Sequence, residues 1–325
     1  MKGKIGLEEH FAIPETLECS ERYFEKDVWP IFSGKILDLM KNRIDEMDKN
    51  GMDMMILSLN SPAVQAIYNK KQAIEVAMKA NDTMAEAIQK NPTRFRGLAA
   101  LPMQDPDAAI KEMHRAVKDL GCVGVLVNGY SQIDTEDNYK YLDDPMYLPF
   151  WEELEKLNVP FYMHPREPMP CNMGMYEGHP WLEGAAWAFG VETATHTLRL
   201  MCSGIFDKYP KLKLILGHLG ETLPFCIWRT QNRINKTGRG IPAKKTLPEY
   251  MSKNVWCTTS GQFRTPALWN TIMEFGSDHI LFATDFPFEE VSDACTWFDA
   301  CSISETDRLK IGRQNTIDLF NLNIK

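Results

Sequence analysis

The sequence predicts an α/β protein built as one (β/α)8 TIM barrel over residues 1–325, and three observations carry that expectation. Short apolar runs of strand length alternate with stretches of helical period eight times along the chain. A parallel strand needs a crossover before the next can pair, so such repeats close naturally into a barrel. No Gly-rich turn follows the first run, as a dinucleotide-binding open sheet would require.

The first strand, Lys4-Ile5-Gly6-Leu7-Glu8-Glu9-His10, ends in two carboxylates and an imidazole. Side chains two residues apart share a face of an extended strand, so Glu8 and His10 are expected together and Glu9 opposite. The next residues lack a clear period and carry Phe11, Tyr23, Phe24 and Trp29 among Pro14, Pro30 and Gly34, which predicts a packed lid over 11–34. Apolar positions at Ile36, Leu37, Met40, Ile44 and Met47 then predict one helix over 35–49, closed by Asn50-Gly51.

The alternation continues. Strands are expected at 54–59, 96–101, 123–128, 160–164, 212–218, 255–260 and 280–285. The helices between them are expected over 73–88, from Pro106 to a stop at Gly121, over 149–157, near 191–204, from about Glu221, over 266–275 and on to the C-terminus. A second lid-like loop, rich in Pro, Gly and Met, is expected over 165–185.

Composition narrows the partners. Hydrophobic residues at 44% and charged residues at 25% are ordinary globular values. A net charge of -8 disfavours nucleic acid and anionic membrane, because both reward clustered Lys and Arg. The eight cysteines are scattered without a C-x-x-C pair and read as reduced thiols. No apolar run approaches the ~20 residues of a membrane span, and no secretory leader is recognisable, so a cytoplasmic protein is expected.

In such barrels the chemistry gathers where the strands end and the βα loops converge. The polar residues at those ends are Glu8 and His10 on the first strand, Asn128, His164, His218, Ser260 and Asp285. The other histidines fall elsewhere: His114 and His196 in helices, His179 in a loop and His279 just before the last strand. A lone histidine at a strand end is usually a hydrogen-bonded structural group, and Asp285 by itself fits a helix cap. As a set, Glu8, His10, His164 and Asp285 suit one divalent ion of borderline softness, Mn2+ or Zn2+. His218 and Glu221, three residues apart across a strand-to-helix turn, are close enough for the carboxylate to orient the imidazole.

The segments GKIGLEEHFAIPETL (3–17), MILSLNSPAVQA (55–66), VLVNGYSQ (125–132), PFYMHPR (160–166), ILGHLGETLP (215–224) and ILFATDFPFE (280–289) resemble the amidohydrolase superfamily. The resemblance spans nearly the whole chain. It points to the decarboxylase branch around aminocarboxymuconate-semialdehyde decarboxylase, and within it to the γ-resorcylate (2,6-dihydroxybenzoate) decarboxylases. Hydrolases of the superfamily open with H-x-H and often bridge two metals with a lysine on the fourth strand. Here Glu8 and Asn128 stand at those places, which favours one metal. Salicylate, 2,3-dihydroxybenzoate and 5-carboxyvanillate decarboxylases carry alanine where this chain has His10.

The resemblance implies a reversible, non-oxidative decarboxylation of an ortho-hydroxybenzoate. Asp285 would be the acid, His218 and Glu221 a supporting catalytic pair, and Asn128 a donor to a substrate oxygen. Arg229 would be the cation for the anionic ring, reaching a neighbouring subunit's site as in the tetrameric relatives. Tyr23 and Phe288 would supply apolar walls, with Arg166 a second candidate cation. A carboxyl beside another anion and a bound phenolate is expected to favour its neutral form, as a proton donor needs. Two other classes stay open: a metal-dependent hydrolase such as a lactonase, and a metal-binding scaffold without turnover.

Overall fold

The computed structural model describes residues 1–324 and contains an eight-stranded parallel sheet. Its strands are β1 (Lys4–Phe11), β2 (Met52–Leu59), β3 (Phe95–Ala100), β4 (Gly124–Asn128), β5 (Phe161–His164), β6 (Leu214–Leu216), β7 (Val255–Thr258) and β8 (Ile280–Leu281). They neighbour one another in chain order. The seam between the last and first strands is closed by Leu7 N donating to Phe282 O at 3.0 Å.

Two apolar layers hold this wall. Ile5, Leu7, Met54, Ile56, Leu126 and Ile215 fill the bore, whereas Met52, Met55, Leu57, Val125 and Val127 face the helices. Buried on both sides, the strands read as continuous apolar runs rather than as alternating ones.

The predicted helices are present with shifted ends, except for 35–49. That stretch forms two helices, Trp29–Leu37 and Lys41–Lys49. Asp38 separates them because its carboxylate accepts from Met40 N at 2.7 Å and Asn42 N at 2.9 Å, capping the second helix. The 11–34 segment packs through aromatics: Phe24 stacks on Phe32 at 3.9 Å, and both approach Phe288. A hairpin of Ser131–Ile133 and Thr135–Lys140, not anticipated from the sequence, follows β4.

The last strand is shorter than the expected 280–285. Beyond Leu281 the backbone leaves the ladder, with Phe282 N donating to Ile311 O at 2.9 Å. All eight cysteines are free, and no helix among the described residues is long and apolar enough to cross a membrane.

One buried amide positions the end of β3. Asn81, on the helix Lys70–Lys90, accepts from Ala100 N at 2.8 Å and donates to Ala100 O at 2.9 Å and Glu112 Oε1 at 2.6 Å. Asn81→Leu strands those partners and is expected to lower unfolding stability by roughly 2–4 kcal/mol, read from the urea midpoint. A loss below about 0.5 kcal/mol would place the support of β3 elsewhere.

Candidate metal centre

At the C-terminal mouth, one donor atom from each of Glu8, His10, His164 and Asp285 lies within 4.8 Å of all the others. Strict alternation would not produce this. Ile5 and Leu7 point into the bore, so an unbroken strand would send Glu9 inward and turn Glu8 and His10 outward. A β-bulge intervenes: Leu7 pairs with Ile56 and Glu9 with Leu57, leaving Glu8 as the extra residue at φ 73°. The bulge resets the phase, so Glu8 and His10 face the centre and Glu9 faces the helices.

The two oxygens of Glu8 have different surroundings. Oε2 accepts from Thr258 Oγ1 at 2.9 Å and from the Tyr162 hydroxyl. Oε1 is buried with no hydrogen-bond partner among the described residues, 3.3 Å from His164 Nε2 and 4.0 Å from His10 Nε2. His10 Nε2 is likewise buried and unpartnered, while its Nδ1 lies 3.2 Å from Ser58 Oγ. Two unpaired, fully buried polar atoms aimed at one point would be costly unless a cation completes them. This oxygen and nitrogen donor set fits a single divalent ion. Gly217 admits the cluster, since a Cβ there would come within 3.1 Å of Glu8 Oε1.

The electrostatics match that use. Burial pushes His164 below its usual pKa, aided by His10, so it is a neutral imidazole with a lone pair to give. Burial alone would raise Glu8, but His218 and His164 outweigh it and the carboxylate stays ionised. His218 follows the opposite course. Burial would lower it, yet Glu221 and Glu8 hold it well above the ordinary value. Its Nδ1 sits 2.8 Å from Glu221 Oε1, and its Nε2 faces Asp285 Oδ2 at 3.6 Å and Glu8 Oε1 at 3.9 Å.

Asp285 departs from expectation. Burial would raise it, but the imidazoles of His10 and His218, with Nε2 atoms 3.3 Å and 3.6 Å from its oxygens, hold it well below the usual carboxylate range. Its neighbours are chiefly imidazoles, so the protein without substrate favours the ionised form rather than the neutral one.

The remaining site residues divide. Phe288 meets the His10 ring edge-on at 5.4 Å, and Tyr23 meets Phe189 at 5.5 Å. Asn128 cannot donate as supposed, because its Nδ2 already reaches Asn60 O at 3.0 Å and Pro62 O at 3.3 Å; its free atom is Oδ1, an acceptor. Arg166 is committed as well. It is buried, donates to Tyr130 O, Gln132 and Glu167, and lies over the Tyr130 ring at 3.9 Å. Arg229 is exposed on the helix Leu223–Thr237 near Phe225 and Trp228, which are 86% and 70% exposed.

Four histidines lie apart from the centre in structural contacts. His196 accepts from Leu142 N at 2.9 Å, His114 pairs with Glu153, His279 stacks on Trp256, and His179 meets Trp181 edge-on. Sequence reading missed Tyr162, Thr258 and Ser58. A signal existed for the first: Tyr162 stands two residues before His164 and so shares its face.

Tyr162→Phe removes a donor from Glu8 Oε2 and frees that carboxylate to turn. Divalent-metal affinity is expected to fall about 10–100-fold, measured by calorimetric titration of metal-free protein. Unchanged affinity would show that Thr258 alone fixes Glu8.

The sequence profile described as Amidohydrolase matches residues 36–322. The γ-resorcylate decarboxylase of Rhizobium sp. (strain MTP-10005) is 52% identical over 324 residues, 99% of each chain. A 2,6-dihydroxybenzoate decarboxylase solved with 2,6-dihydroxybenzoate superposes at a TM-score of 0.97 and 52% identity, over 99% of this chain and 100% of that one. A dihydroxybenzoic acid decarboxylase from Polaromonas sp. JS666, solved with manganese and the inhibitor 2-nitroresorcinol, gives 0.98 at 52% identity, over 100% of this chain and 98% of that one. The chain therefore belongs to the amidohydrolase family, and within it to the γ-resorcylate decarboxylases.

Proposed function

We propose that this protein is a carboxy-lyase that converts 2,6-dihydroxybenzoate to resorcinol and CO2, reversibly at high bicarbonate, with one divalent ion, Mn2+ in preference to Zn2+. The observation that carries the reading is the convergence of Glu8, His10, His164 and Asp285 beside His218. Relatives of half-identical sequence bear the corresponding activity in their names, which favours the lyase over a lactonase.

Direct loss of CO2 from an arene would leave a localised aryl anion, so the ring must first be activated. Glu8, His10, His164 and Asp285 would hold the ion, which when bound acidifies an ortho hydroxyl and orients the ring. Asp285, held ionised by its imidazole neighbours, takes the hydroxyl proton and returns it to the carboxyl-bearing carbon. The phenolate electrons enter the ring as that C–H bond forms. The C–C bond then breaks toward the ring, CO2 leaves and aromaticity returns. His218, kept cationic by Glu221 and Glu8, supplies the proton that restores the product hydroxyl.

Asn128 Oδ1, buried without a partner among the described residues, would accept from a ring hydroxyl, and Phe288, edge-on to His10, and Tyr23 would wall the ring. The proposed assembly is a cytoplasmic homotetramer. Phe225, Trp228 and Arg229 form an exposed face suited to burial between copies, and Arg229 would there meet the partner's anionic substrate. Residues 1–325 would act as one domain, with 11–34 and 165–185 as its lids.

Asp285→Asn is expected to retain divalent metal at least in part and to lose about 10²–10⁴-fold in turnover of 2,6-dihydroxybenzoate, followed by resorcinol formation and CO2 release. Near-normal turnover would remove Asp285 from the proton-transfer role. Dialysis against a chelator is expected to abolish CO2 release from the wild-type protein and Mn2+ to restore it. Full activity of metal-free protein, or activity confined to 2,3-dihydroxybenzoate, salicylate, 5-carboxyvanillate or a lactone, would overturn the reading.

A further inference from the structure

We infer that Glu9, which faces away from the bore and supplies no ligand atom, is a positioning residue that sets metal affinity by locking the Asp285 turn to the end of β1. The inference rests on the metal-centred reading above and adds to it.

The fully buried Glu9 carboxylate spends both oxygens on one residue. It accepts from Thr284 N at 3.0 Å and Thr284 Oγ1 at 2.5 Å. Thr284 immediately precedes Asp285, whose φ of 66° is disfavoured for a residue with a Cβ and persists only where its surroundings impose it. The other flank is held by the next residue of the same strand, with His10 N donating to Phe286 O at 2.6 Å. Consecutive residues of β1 thus grip both sides of Asp285.

Arg43 adds a clasp across the same points. It donates to His10 O at 2.5 Å, and its guanidinium lies 4.8 Å from the centre of the Phe286 ring. The strand also leaves room for the lock. A Cβ on Gly6 would come 2.3 Å from Glu9 Oε1, so any larger residue there displaces the carboxylate. The seam between first and last strands has another closure, Leu7 N to Phe282 O, so the grip of Glu9 is concentrated on the turn that carries the ligand.

The test compares wild type with Thr284→Val, Thr284→Ser, Gly6→Ala and Glu9→Ala. Mn2+ is titrated calorimetrically into each metal-free protein, the metal-free melting temperature is recorded, and kcat and KM for 2,6-dihydroxybenzoate are measured after Mn2+ loading. Thr284→Val, Gly6→Ala and Glu9→Ala are expected to weaken Mn2+ about 10–100-fold and to lower kcat, while Thr284→Ser stays within about twofold of wild type. Equal Mn2+ affinity for Thr284→Val and Thr284→Ser would overturn the inference. So would a lowered metal-free melting temperature with unchanged affinity, the signature of a merely structural contact. Should Glu9→Ala fail to fold, the Thr284 pair decides, since neither member alters the carboxylate. If wild type binds Mn2+ but releases no CO2, the assigned reaction fails while the affinities still decide the role of Glu9.

Discussion

The site depends on how one buried carboxylate is divided. Glu8 has no solvent exposure, and placing an ion there costs several kcal/mol unless its oxygens are satisfied. Tyr162 and Thr258 satisfy Oε2 from below, fixing the group so that Oε1 faces the open mouth. Around that oxygen stand His164 at 3.3 Å, His218 at 3.9 Å and His10 at 4.0 Å. Two further ionisations in the mouth build on this placement. His218 is cationic because Glu8 and Glu221 face it, and Asp285 is ionised because His10 and His218 do.

Backbone strain marks the same residues. Glu8, His218, Leu219, Glu221 and Asp285 all adopt positive φ, a region that residues with a Cβ occupy only where surrounding contacts impose it. The contacts that impose it are the bulge in β1 for Glu8, Ser260 Oγ accepting from His218 N at 3.1 Å, and the grip of β1 on both flanks of Asp285. The barrel wall spends part of its stability holding five side chains in a geometry that regular strands and turns would not give. Of the groups at the mouth, His218 and Asp285 keep side-chain exposures of 23% and 13%.

Much of this was legible in the sequence. Eight apolar runs separated by helical stretches define the barrel because a parallel strand has no other economical way to meet its neighbour. Polar residues at the end of a run mark the mouth, which is why the sequence alone groups Glu8, His10, His164, His218 and Asp285. What could not be read has physical causes. The bulge depends on pairing with β2, which no local pattern in KIGLEEH reveals. The occupied amide of Asn128 depends on carbonyls of Asn60 and Pro62, and the commitment of Arg166 on a hairpin absent from the predicted elements. The ionisation of Asp285 turned on which neighbours dominate, and distance rather than residue type decides that.

The central claim is that one cation sits where the bare oxygen of Glu8 and the bare nitrogen of His10 point. Anomalous diffraction at the manganese edge from crystals grown with Mn2+ tests it most directly. The account predicts a single peak at the mouth, with Glu8 Oε1, His10 Nε2, His164 Nε2 and an Asp285 oxygen at roughly 2.0–2.3 Å. Two peaks bridged by a carboxylate, or one peak that leaves Glu8 Oε1 unligated, would contradict it.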